Sequence, residues 1–153
     1  MVRPDIVIMI AVQEALKNGP DGVRALTREQ SNSYVTMYGG NTIHVIAEFG
    51  SPEQLTALME KVDDVDQRVA RRNNTALHFA VMGRNMGTAQ VLFALGADID
   101  AVDSDGATPT TYALGLYHPE FVTAIEEERI RRRDAALLLL LVGQVQNMNV
   151  DAA

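Results

Sequence analysis

Two histidines stand near the start of apolar runs, in Asn41-Thr-Ile-His44-Val-Ile and Thr75-Ala-Leu-His78-Phe-Ala. Imidazole is the side chain whose ordinary pKa suits proton transfer near neutrality. General acid–base work also needs a nucleophile or acid within about 3 Å, in a pocket. Neither run proposes such a partner, so both histidines are expected to be structural. Asp98, Asp100, Asp103, Asp105 and Gly106 superficially suggest a calcium loop. With Gly106 as the loop's sixth position, Ala101 falls at the first and Tyr112 at the twelfth, so the first carboxylate and the bidentate Glu are both missing. Asp and Asn also close turns onto nearby backbone N–H groups, and that is the reading adopted. No phosphate-cradling glycine loop, zinc-binding H-E-x-x-H or nucleophile elbow occurs. No catalytic residue, metal or cofactor is expected.

Two basic clusters remain, Arg71-Arg72 and Arg129-Ile-Arg-Arg-Arg133. The second follows Glu126-Glu-Glu128. Glu127–Arg131 and Glu128–Arg132 stand i,i+4 with the acid N-terminal, the better orientation, so it reads as a solvated, salt-bridged helix. Nothing acidic lies within two residues of Arg71 or Arg72.

The chain of 153 residues, 47% hydrophobic, is long enough for one domain with a sizeable core. It has no Cys, hence no disulfides or thiolate metal sites. A net charge of −7, four Phe, four Tyr and no Trp disfavour nucleic acid as a partner. The apolar start ends at Gln13-Glu14 without a small-residue cleavage site, so no signal peptide is expected. Residues 135–142 are apolar, but a membrane span needs about twenty residues. Neither a membrane nor an extracytoplasmic location is expected; the reading is cytoplasmic.

Asn74 to Thr108 organises the chain. Thr75–Ala80 opens a short helix, residues 86–95 make a second, and Gly96-Ala-Asp98 ends it in a turn suited to glycine. Thr108-Pro109 restarts the pattern 33 residues after Thr75. T-x-L-H-x-A with helix, turn, helix and β-turn at this period closely resembles an ankyrin repeat. The resemblance covers roughly residues 11–125. Residues 40–50 open an earlier repeat without the family's proline. Thr108-Pro-Thr-Thr111 opens a later one in which leucine and histidine are both replaced.

The resemblance implies an all-α, ankyrin-type solenoid of helix-turn-helix repeats with β-turn fingers. One domain would span residues 1–147: a degenerate capping repeat at 1–38, repeats at 39–72, 73–105 and 106–125, and a C-terminal capping helix at 126–147. Residues 148–153 would be a frayed tail. The first helix, from Pro4-Asp5, is stopped by Asn18-Gly19-Pro20, and Asp21 would cap a helix from Val23 to about Arg28. Ala135, Leu138, Leu139 and Val142 would cover the open end of the last repeat.

The resemblance further implies imidazoles that bond backbone and turn groups of neighbouring repeats. It also implies a concave face of fingers and inner helices that binds another protein. The family's variable positions fall on Tyr38, Asn41, Glu48 and Phe49, on Arg71, Arg72, Asn74 and Met82, and on Ser104, Asp105, Ala107 and Leu116. Phe49 and Leu116 would serve equally well in packing between repeats. The function implied is a small adaptor or inhibitor, expected as a monomer. The alternative is a scaffold that self-associates through Leu137–Leu141.

Overall fold

Short polar signals set the helix starts. Thr27, Ser51 and Thr108 each accept a hydrogen bond from the backbone N–H three residues on, and the side chain there bonds back to the cap N–H. These reciprocal caps satisfy two of the donors that a helix start leaves orphaned. Pro52, Pro109 and Pro119 open their helices, where proline's missing N–H is not needed.

The computed structural model describes residues 3–35, 37 and 39–151. Its helices run α1 Pro4–Lys17, α2 Gly19–Ala25, α3 Arg28–Ser31, α4 Thr42–Phe49, α5 Pro52–Met59, α6 Ala76–Met82, α7 Met86–Ala94, α8 Pro109–Gly115 and α9 Pro119–Asp151. Strands β1 (Tyr34–Val35) and β2 (Gly40–Asn41) pair antiparallel, Tyr34 opposite Asn41, and form the first finger. The inner helices stack α1 on α4, α4 on α6 and α6 on α8; the outer helices stack α2 on α5 and α5 on α7. The fold is the expected all-α solenoid.

The core runs the length of this stack. Ile43, Ile46, Leu55, Leu58, Leu77, Leu92, Phe121 and Ile125 are fully buried. Val12, Val35 and Val45 form a smaller cluster beneath the first finger. Each outer helix also ties its start to the preceding repeat. Gln54 donates to the Ala15 and Leu16 carbonyls (3.0 and 3.1 Å), Thr88 to Ala47 (2.6 Å), Asn85 to Gly50 (2.7 Å) and His118 Nδ1 to Val81 (3.1 Å). These side chains satisfy buried carbonyls that would otherwise cost free energy.

Four expectations are corrected. Asp21 caps nothing: α2 begins at Gly19, and Asp21 sits in its first turn, paired with Arg24 at 2.9 Å. Glu127 does not pair with Arg131. Instead Glu128 is buried and accepts from both Arg131 and Arg132, which hold its carboxyl below the ordinary range. The C-terminal helix does not cover the last repeat, because no breaker interrupts α9. A continuous helix of 33 residues is about 50 Å long and cannot fold back. Leu138, Leu139 and Val142 are therefore exposed. Nor are residues 148–151 frayed; they continue α9.

Leu92 is fully buried on α7, among residues of both flanking repeats. Leu92→Ala is expected to cost about 2–5 kcal/mol, a large share of a total near 5–15. Urea unfolding followed by circular dichroism checks this; wild-type stability in the variant would remove Leu92 from the core.

Candidate protein-binding face

The fingers are held by the two histidines. Asn41 N–H donates to His44 Nδ1 (3.1 Å), and His44 Nε2 donates to the Gln67 carbonyl of the next finger (2.9 Å). His78 repeats this one unit on: Thr75 N–H donates to Nδ1 (3.1 Å), and Nε2 donates to the Ala107 carbonyl (3.1 Å). A neutral imidazole has one donor and one acceptor, and both are used. Burial pushes His44 down to about 4, and His78 is lowered for the same reason. At the third repeat Thr111 takes the histidine position and bonds only Thr108. No finger follows α8 in the described chain, so an imidazole there would find no carbonyl to reach.

The fingertips are closed as rigid turns. In the second finger Val69 N–H donates to the Asn74 carbonyl (3.0 Å) and Asn73 N–H to Val69 (2.8 Å). Asn73 adopts the left-handed conformation, φ 59°, which Asn tolerates better than most residues. In the third, Asp103 N–H donates to Ala107 (3.0 Å) and Gly106 N–H to Asp103 (3.2 Å). The Asp103 carboxylate accepts from Asp105 N–H, Ala107 N–H and the Tyr112 hydroxyl, at 2.8–2.9 Å. Burial works against its charge, but these bonds outweigh it and hold the carboxyl below its usual range. The aspartates thus close turns. The two tips are joined by Ser104 N–H to the Arg72 carbonyl (2.8 Å), and Arg68 spans the Asn73 and Val102 carbonyls (3.0 and 2.7 Å).

On this frame the sequence-derived surface residues separate. Arg71, Arg72, Ser104 and Asp105 are exposed at adjacent tips. Arg24, Arg28, Arg84 and the arginines between 129 and 133 all face carboxylates. Among the described residues, Arg71 and Arg72 do not. Phe49 and Leu116 are exposed, Glu48 is half-buried, and Met82 is half-buried against the core. Burial raises the Glu48 carboxyl. Phe49, Gly83 and Leu116 share one position in the repeat. A Cβ at Gly83 would come within 2.5 Å of the Glu48 carbonyl oxygen, so only the outer two positions carry side chains.

Three of the expected contact residues are tied up in the framework. Asn74 is buried and donates to Tyr112 (3.1 Å) and Asp103 (3.4 Å), so it joins two fingers and has no free surface. Ala107 offers its carbonyl to His78, and Asn41 spends its side chain on Gln67 (3.1 Å). Tyr38 lies outside the described residues.

A family model described as ankyrin repeats (3 copies) matches residues 8–103 and again 43–134. The chain belongs to the ankyrin-repeat family. Relatives among characterised proteins include the B-cell lymphoma 3 protein of Homo sapiens and its Mus musculus homolog, each 36% identical over 100 residues. The match takes in 62% of this chain but only 22% of each relative, so the chain corresponds to about a fifth of their length.

One feature of the ankyrin stack escaped the sequence. Ala47 and Val81 are fully covered by the next repeat, but Leu114, at the equivalent position, is 63% exposed. With Tyr117, Pro119 and Val122 it lines an open apolar groove of about 470 Å³. Tyr117, 88% exposed at φ 58°, occupies the inter-helix turn position. Arg84 holds the same position at φ 53° in the covered repeat, so residue type there gave no signal.

The histidine bridges set a pH dependence. His44 is neutral when folded down to about pH 4, whereas the unfolded chain takes up the proton below about 6.5. The stabilisation is therefore complete above about 6.5 and is lost as pH falls towards 4, by about 3 kcal/mol for this residue. His78 acts in the same direction. Glu48 and Asp66, whose carboxyls burial raises, act in the opposite one. Urea midpoints are expected to fall between pH 7 and 5, less steeply in His44→Gln. A slope unchanged by that substitution would place the dependence elsewhere.

Proposed function

We infer that this chain works by binding another protein, since ankyrin repeats are a protein–protein interaction framework; no helix among the described residues is long and apolar enough to cross a membrane. We propose that this chain is a non-catalytic, cytoplasmic adaptor or inhibitor that binds the acidic surface of a partner protein. The concave face would engage it, with Arg71 and Arg72 at its leading edge. The observation that carries this reading is the pair of exposed arginines without carboxylate partners, on a tip whose backbone is bonded to the next finger. Apart from Arg3, the other described arginines face carboxylates or bond carbonyls, and the net charge is −7. Arginine is among the residue types that dominate interface energetics. A preformed tip adds to this, since binding then loses little conformational entropy.

The remaining contacts follow the geometry. Phe49, Met82 and Leu116 would supply apolar contact at the ends of the inner helices, Ser104 and Asp105 would supply the polar rim, and Glu48 would flank them. Asn41, Asn74 and Ala107 would act indirectly, by fixing the fingers.

Arg71→Ala with Arg72→Ala tests this on the partner captured by the intact chain. Neither side chain is in the core, so stability is expected to stay within about half a kcal/mol of wild type. Association is expected to slow and its salt dependence to flatten if the charges sit at the rim. If the pair is desolvated in the complex, the loss is about 2–5 kcal/mol and appears in the off-rate. Binding kinetics at two salt concentrations distinguish the cases, with circular dichroism controlling for folding. Unchanged kinetics at both would reduce the arginines to a solvated turn.

A further inference from the structure

α9 leaves the repeat stack after Arg132. Before that point Phe121 and Ile125 lie in the core, and Arg132 donates to the Ala97 carbonyl (2.9 Å) beyond the end of α7. From Arg133 to Val150 every residue except Gly143 is exposed. A helix facing water normally carries charge, but none occurs between Asp134 and Asp151. A helix so apolar is normally buried.

The apolar residues fall into register. Leu138, Leu141, Val145 and Met148 recur at steps of three, four and three, the a/d spacing of a two-stranded coiled coil, with Val142 beside them. One flanking line, Leu137, Leu140, Gln144 and Asn147, turns polar after its first turn, and the far side sets Gly143 and Gln146 among Leu139 and Val150. The seam is thus one face of the helix rather than its whole surface.

We propose that this seam docks a second copy of the same chain, antiparallel, across a two-fold axis at Gly143. In that register Leu138 meets Met148 of the other copy and Leu141 meets Val145, so each a position faces a d position. Gly143 marks only the level of the axis along the helix; it lies on the face turned away from the seam, with open space around it. The five seam residues are each more than half exposed. Covering them on both copies removes on the order of 1,000 Å² of surface, where specific interfaces begin. A self-complementary, uncharged face is what a two-fold contact requires. The antiparallel sense sets the two bodies, each of net charge −7, at opposite ends of the joint and opposes the helix dipoles. The dimer would present two finger faces, whatever partner each one holds.

Sedimentation equilibrium of the full chain tests the proposal. A dimer is expected for wild type and for Leu140→Gln, and a monomer for Leu138→Glu with Leu141→Glu, with the thermal melt of the repeats unchanged. A monomeric wild type, a monomer that floats with phospholipid vesicles, polydisperse aggregates, or a dimer indifferent to the seam glutamates would each overturn it. Because the chain has no Cys, Leu138→Cys and Met148→Cys report the orientation. A disulfide that forms only when the two variants are mixed supports the antiparallel pair; disulfides within each variant alone would overturn it.

Discussion

The structure depends on a neutral imidazole that joins three pieces of chain. His44 and His78 each accept from the N–H that starts their own helix and donate to a carbonyl in the following finger. A charged imidazole has no acceptor, so protonation would break the link to the helix start as well as placing charge in the core. The bond fixes each finger relative to its helices and positions the next turn. Arg68, Asn74 and Asp103 then lock adjacent tips together. Arg71 and Arg72 inherit their placement from this chain of contacts.

Much of this was legible because the repeat is local chemistry. T-x-L-H, the finger aspartates and the turn glycine act within a few residues, so their spacing carries the geometry. The structural role of the histidines followed from the absence of a nearby nucleophile, and the fingertip location of Arg71 and Arg72 from repeat register. What failed was long-range or depended on side-chain direction. Asn74 reads as a variable surface position, yet its amide turns inward because Asp103, in the following finger, and Tyr112, in the next repeat, offer it partners. Thr27-x-x-Gln30 is a capping box and could have announced α3, but it lies in a segment that reads as part of the preceding helix.

The C-terminal end shows a different failure. Continuous helical propensity from Pro119 onward was visible, but propensity does not say whether a helix stays with the body. Glu128 and Arg132 hold α9 against the end of α7, and beyond them the rigidity of the helix carries the leucines into solvent. The same straightness leaves the stacking groove beside Leu114 and Tyr117 open. The chain therefore ends its ordered stack with apolar surface on two elements, while its recognition charge sits on the fingers.

The claim at the centre of this account is that the fingertips are preformed before any partner arrives. Amide hydrogen exchange on the free chain near neutral pH measures it most directly. The amides of Val69, Asn73, Asp103, Ser104 and Ala107 each donate a bond within or between fingers. They are predicted to be protected, and to lose that protection together when His78 is replaced by Ala. Exchange at the rate of an unstructured loop, in the wild-type chain, would contradict the account.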